Sequence, residues 1–206
     1  MLVFMKRFDA DLSGNELKEM ILDAADKRFK TVGFKKTAMA EIASDLGMST
    51  ANLYRYFPSK VDIAEGFAVR CFVEKEQGLA KVLEKTKLSE VERLQAFALA
   101  LLHFNYKQLQ EYPAINDIIV ALCAEKPSLV ERKKSGELEL IKVILQKGKE
   151  VDGWVFDDIN VMGRAILTSW IMFTTPTFMQ LSTLEELEKL LESVIYITIN
   201  GLQPRT

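Results

Sequence analysis

The stretch SDLGMSTANLYRYFPSK, Ser44 to Lys60, decides how the rest of the chain is read. It sets the short residues Thr50, Ala51 and Asn52 beside Leu53, Tyr54, Tyr56 and Phe57, then stops at Pro58. Taken as a helix from Thr50 to about Tyr56, capped by Ser49, it has one packing side and one small, polar side. A second short helix precedes it, after Thr37, with Met39, Ile42, Ala43 and Leu46 on its apolar side. Gly47 ends that helix, because a tight corner needs a positive φ that glycine adopts freely. Two short helices joined by Leu46-Gly47-Met48-Ser49 make a helix-turn-helix. The outward positions of the second are Thr50, Ala51, Asn52, Tyr54 and Arg55. They are slim enough for a major groove about 12 Å wide. Phe57 reads as core, Tyr54 as part of the outward face, and Tyr56 as an exposed corner.

Working outward, the pattern is helical nearly throughout, with no period-two run long enough for a sheet. A first helix is expected from Ser13, with Glu16 completing a capping box and Gly33 as its stop. Ser59 with Asp62 opens a fourth helix reaching about Lys85. Ser89 with Glu92 opens another, to about Gln110, broken by Tyr112-Pro113. Pro127 suits a first helical position before a segment to Lys149. VDGWVFDD, residues 151–158, reads as a loop with a Trp anchor. One helix is expected from Asp158 to about Leu181, and a last one is capped by Thr183 and Glu186 and ends near Gly201. The expected fold is all-α, with about nine helices in two domains. Residues 13–72 are expected to form a small three-helix domain, and residues 73–206 a larger helical domain.

The bulk composition fits a folded chain. Of 206 residues, 49% are apolar and 27% charged. The two cysteines, Cys71 and Cys123, read as free thiols of a reducing cytosol, so a cytoplasmic location is expected. The uncharged run Ala165–Leu181 holds four threonines, a serine, a glutamine and Pro176. It reads as a buried helix rather than a membrane span. The net charge of −2 is unevenly spread. Residues 27–60 carry seven basic side chains against two acidic ones, a net of +5 that leaves −7 on the remainder. A basic end on an acidic body orients a protein toward a polyanion. Neither HExxH nor CxxC occurs, no Gly-rich phosphate loop is present, and a single histidine does not support a Ser-His-Asp triad. An enzyme, a cofactor and a metal are therefore not expected.

GFKKTAMAEIASDLGMSTANLYRYFPSK, residues 33–60, resembles the N-terminal DNA-binding domain of TetR/AcrR-type transcriptional regulators. The matching elements are Gly33-Phe34, Thr37, Ile42-Ala43, Leu46-Gly47, Ser49, Leu53-Tyr54, Tyr56-Phe57 and Ser59-Lys60, and the likeness spans roughly Asn15 to Phe72. By that resemblance Thr50, Ala51 and Tyr54 face bases, while Thr37, Ser49, Tyr56 and Lys60 hold phosphates. Asn52 and Arg55 share the outward face. Two alanines, Ala38 and Ala40, stand where the family often has a hydroxyl and a long basic side chain. Readout is then expected from the third helix and from DNA shape.

The resemblance also implies that residues 13–72 bind DNA and that residues 73–206 serve ligand binding and dimerisation. It implies a homodimer on a near-palindromic site in double-stranded DNA and a small-molecule effector. The last helices supply a broad apolar surface. Leu187, Leu190, Leu191, Val194, Ile195 and Ile197 lie on the final one, with Val161, Ile166, Trp170, Phe173 and Thr177 before it, suggesting a four-helix bundle across two subunits. Phe67, Cys71, Phe104, Trp170 and Phe173 are the candidate ligand-binding residues, which points to an apolar or aromatic effector. The long fourth helix would link ligand to DNA. A ligand preferring one tilt of it would change the separation of the two reading heads and release DNA. The competing reading is a DNA-binding protein of the same fold without an effector.

Overall fold

In the computed structural model the described residues are 14–112 and 114–204. The expected cap at Ser13 and the break at Pro113 lie outside them. The described residues contain eleven helices and no strand. They are α1 (Gly14–Thr31), α2 (Met39–Asp45), α3 (Thr50–Tyr56), α4 (Lys60–Leu83), α5 (Glu90–Glu111), α6 (Ile115–Glu125), α7 (Pro127–Val151), α8 (Ile159–Ser169), α9 (Ile171–Thr174), α10 (Pro176–Met179) and α11 (Leu184–Leu202).

Their ends follow local chemistry. Gly33, at φ 92, stops α1. Ser59 and Asp62 cap α4, and Ser89 with Glu92 caps α5. Thr183 with Glu186 closes a capping box on α11, and Pro127 is the first residue of α7. At the starts capped by Ser59, Ser89 and Thr183, side-chain oxygens take up backbone N–H groups that a helix start leaves orphaned.

The single helix expected from Asp158 to Leu181 is instead three pieces. Asp158 caps α8 as a side-chain acceptor for the Asn160 and Val161 N–H groups. The helical path is lost at Trp170, and Thr175 is extended at φ −117, ψ 114 before Pro176. Proline lacks an N–H and clashes with a helical residue before it, so the run cannot continue through position 176.

The chain divides into two compact units. The first takes the described residues up to Arg70 together with Glu111–Leu129, and the second takes Cys71–Gln110 together with Val130 onward. In the first, Ile21, Phe29, Ile42, Leu53 and Ile63 are buried. Each such side chain is worth about 1.5–3 kcal/mol of burial. Phe29 packs edge-on to Phe34 and Phe67, and Phe67 packs on Tyr112. α6 is fastened to this unit by charge: Asp117 pairs with Lys35 at 2.7 Å, and Lys126 pairs with Asp62 and Glu65. The unit thus includes a segment well outside residues 13–72.

In the second unit the core joins α5 (Leu94, Phe97, Leu101), α7 (Ile141, Leu145) and α11 (Leu187, Leu191, Ile195). Trp154 and Phe156 anchor the 152–158 loop in it. Arg93 is buried where α4 ends, donating to the carbonyls of Val82 and Leu83 and to Glu90. Orphan carbonyls of a buried helix end are thereby satisfied.

The apolar residues expected at a subunit interface separate into two sets. Ile166, Trp170 and Phe173 lie in the chain's own core, as do Leu187, Leu191 and Ile195. Val161, Leu190 and Ile197 face outward, Val161 at 62% and Ile197 at 69% exposure. Helical periodicity explains the division, since positions 187, 191 and 195 form one stripe of α11 while 190 and 197 form another.

Candidate nucleic-acid interface

α2 and α3 are held at their corner by backbone geometry. Gly47 sits at φ 64, its N–H donates to the Ser44 carbonyl, and the Met48 N–H donates to that of Ala43. Ser49 is extended, and its hydroxyl oxygen accepts the Asn52 N–H at 3.2 Å. The hydroxyl proton of Ser49 stays available for a further acceptor. Leu53 is fully buried, which fixes the rotation of α3 about its axis. Ala51, Tyr54 and Arg55 are consequently exposed, and Thr50, Asn52 and Tyr56 are half-buried. On α2 and its cap, Ala38, Ala40 and Ser44 are exposed too, so small side chains continue the outward face.

The position of α2 is set by Arg28 of α1. Its guanidinium grips the Asp45 carboxylate through two hydrogen bonds of 2.5 and 2.8 Å and reaches Glu41 at 3.4 Å. That bond to Arg28 holds the Asp45 carboxyl below the usual carboxylate range. Glu41 also accepts the Ala38 N–H, the half of a capping box that needs no hydroxyl at position 38.

Two residues expected at phosphates have a different use. Thr37 is 2% exposed, and its hydroxyl donates to the Gly33 carbonyl. The Lys60 ammonium donates to the carbonyls of Phe34 (2.7 Å), Lys35 (3.2 Å) and Thr37 (2.8 Å) and stands 4.6 Å from the Phe34 ring centroid. An ammonium has three N–H donors, and all three are taken. Burial lowers the Lys60 pKa. Lys60 therefore staples the 34–37 loop to the start of α4 instead of offering its charge outward.

The basic excess of residues 27–60 is likewise partly internal. Arg28 faces Asp45, Lys30 faces Asp26 and Glu111, and Lys35 faces Asp117. Lys27 adds its field to Asp45. Lys36 and Arg55 are exposed and enter none of the ion pairs among the described residues. The charges open to an external polyanion at this end are thus chiefly these two and Lys27, which is exposed and likewise enters no ion pair among the described residues. Charge counting could not single them out, because the partners of the others come from distant segments.

The candidate ligand residues fall in both units. Phe67 is core of the first unit, 6.3 Å from Phe29 and 5.0 Å from Tyr112 between centroids. Cys71, Phe104, Trp170 and Phe173 belong to the second unit. Cys71 lies half-buried with its Sγ 3.9 Å from Gln108 Oε1. Phe104 is half-buried as well, while Trp170 and Phe173 are core. Trp170 packs 6.4 Å from Phe97, and its buried Nε1 has no hydrogen-bond partner. A groove of about 690 Å³ lies elsewhere, between α1 and the end of α2, lined by Lys27, Arg28, Thr31, Asp45 and Leu46 among others. Among the described residues no three His, Cys, Asp or Glu side chains are grouped to hold a metal ion.

Comparison with known proteins bears on the whole chain. Residues 21–66 match the family model for bacterial regulatory proteins of the tetR family, and residues 91–195 match that for a tetracyclin repressor-like C-terminal domain. No curated protein matches at a significant level. Among solved structures, a transcriptional regulator from Cytophaga hutchinsonii superposes with a TM-score of 0.67 at 22% identity, over 93% of this chain and 100% of that one. Thermus thermophilus FadR, a repressor solved in complex with lauroyl-CoA, gives 0.69 at 19% identity, over 92% and 96%. The flavonoid-responsive regulator FrrA gives 0.64 at 23% identity, over 93% and 100%. At these identities the likeness is one of fold.

Proposed function

Because this chain belongs to the TetR family of bacterial regulatory proteins, we propose that it is a ligand-responsive repressor that binds a near-palindromic operator as a homodimer. One observation carries the reading. A slim helix, α3, presents Ala51, Tyr54 and Arg55 outward while Leu53 locks its other side into the core. Thr50, Ala51 and Tyr54 would meet base edges. Ser49, Tyr56, Lys36 and Arg55 would hold phosphates, with Asn52 between the two sets. Thr37 and Lys60 position the loop and helix that carry them. Two copies would place their α3 helices about 34–36 Å apart, one turn of duplex, or a multiple of it. Val161, Leu190 and Ile197, left exposed on α8 and α11, supply an apolar surface for that pairing.

The family's regulators act on DNA, and no catalytic role is proposed. Among the described residues no helix is long and apolar enough to cross a membrane, and a cytoplasmic protein is proposed. The effector would be apolar or aromatic. FadR's lauroyl-CoA and FrrA's flavonoid response make a long-chain acyl thioester and a flavonoid the first probes. The experiment is a gel shift on the promoter fragment upstream of the protein's own gene at low ionic strength, with and without each probe. A retarded band that one probe releases supports the reading. A protein that leaves the fragment unshifted sinks it.

A further inference from the structure

α4 is one unbroken helix from Lys60 to Leu83, and its residues fall in both compact units, changing over at Arg70 and Cys71. Within the second unit an ion pair is buried between α4 and α7. Lys75 Nζ lies 2.5 Å from Glu137 Oε1, with Lys75 2% and Glu137 6% exposed. The Phe72 ring lies 5.2 Å from the same ammonium. Lys133 stands 3.7 Å from Glu137, and one turn away Arg132 reaches Glu76 at 3.9 Å. Gly136 opens the space for that approach, since a Cβ there would come within 2.2 Å of Glu76 Oε1.

Apolar contacts such as those of Leu79 and Val82 tolerate a small slide of one helix along another. A buried ion pair does not, because separating the partners leaves the Lys75 ammonium buried without water or its counter-ion. One residue of slip moves Lys75 by about 1.5 Å along α4 and about 100° around it. The pair therefore selects a single axial and rotational setting of α4 against α7, the register role for which buried polar groups are best attested.

We propose that Lys75 and Glu137 form a register lock on α4, and that the locked setting is the one that binds DNA. The second half of this inference rests on the DNA-binding reading above; the lock itself does not. Residues 60–70 of the same unbroken helix belong to the unit that holds the helix-turn-helix, and on this proposal α4 carries the setting to them.

The test replaces both charges with apolar side chains of similar length, K75M/E137M, which keeps the core filled without leaving a lone charge. Hydrogen exchange of the backbone amides of residues 72–79 reads the lock. Promoter-fragment affinity reads its consequence. The double variant is expected to melt within about 5 °C of the parent, because such replacements are often neutral. Its exchange is expected to quicken at least about tenfold, and its DNA affinity to fall about five- to tenfold. K75M/E137Q, which also removes both charges and keeps the shape of the Glu137 side chain, is expected to behave alike and serves if the first double variant does not fold. Unchanged exchange overturns the lock. Quickened exchange with parental DNA affinity overturns its regulatory role. A parent protein that binds no promoter DNA counts against the DNA-binding reading, and the exchange result still decides the lock.

Discussion

The Lys126 ammonium, at the C-terminal cap of α6, lies 2.6 Å from the Asp62 carboxylate in the first turn of α4. The pair joins residues 64 positions apart, and Glu65 adds a second carboxylate at 2.8 Å. The bond to Lys126, with that to Ser59, holds the Asp62 carboxyl below its ordinary value. A carboxyl with a depressed folded pKa stabilises at pH above its unfolded value, and the contribution disappears as pH falls through the folded value. Lys126→Met should therefore lower the melting temperature modestly and by a constant amount between about pH 5 and 7. Below 3.8, the ordinary value of an aspartate carboxyl, the gap to the parent should close. Thermal melts across that range would test the pairing, and a gap that widens toward acid would contradict it.

Lys60 and Arg55 should respond differently to loss of charge. Lys60→Met removes three hydrogen bonds to backbone carbonyls and should cost about 1.5–3 kcal/mol in urea unfolding. Arg55→Ala removes an exposed side chain without an ion-pair partner, so stability should stay within about 0.5 kcal/mol. Its DNA affinity should weaken, with the slope of log K against log salt falling by about one. Equal salt slopes in parent and Arg55→Ala would remove Arg55 from the phosphate contacts.

At the corner of the helix-turn-helix, Gly47 has φ 64 and open space where a Cβ would project. Only backbone conformation is at stake there. Gly47→Ala should cost about 1–2 kcal/mol, and Gly47→Asn less, because asparagine tolerates the left-handed region. Urea midpoints of the two variants would show the order, and an alanine variant as stable as the parent would refute the cause given.

Gly148 presents the opposite case. A Cβ there would come within 2.2 Å of the Trp154 ring, which is buried and has nowhere to move. Gly148→Ala should destabilise by overpacking, about 1–3 kcal/mol or more. Pairing it with Trp154→Leu should make the two losses strongly non-additive. Simple additivity in a double-mutant cycle would speak against the contact.

The outward stripe of α11 should govern assembly. Ile197→Glu with Leu190→Glu places charge on an exposed apolar face and leaves the Leu187–Leu191–Ile195 stripe intact. The variant should run at the 23.4 kDa of one chain in light scattering, and the parent should run at twice that mass. A parent that is already monomeric would exclude the dimer.

Much of the fold was legible because its signals are local. Gly47, the Ser49 cap, the Ser59–Asp62 and Thr183–Glu186 pairs and Pro127 act within about four residues, so the order of letters suffices to place them. The outward face of α3 follows from the periodicity that buries Leu53. The break at Thr175 had its cue in Pro176, which weighs more than the absence of charge around it.

The sequence by itself determined an all-helical chain and a slim helix-turn-helix at its basic end, since caps, glycines and periodicity are properties of neighbouring residues. Only the tertiary structure decided that Lys60 serves carbonyls rather than phosphates, that α6 joins the first unit, and that Trp170 is core while Ile197 is surface. Those outcomes depend on partners 23 to 82 positions away or on which of two apolar stripes meets the core. A charge or a hydrophobe has no fixed role until the folded chain supplies its neighbour.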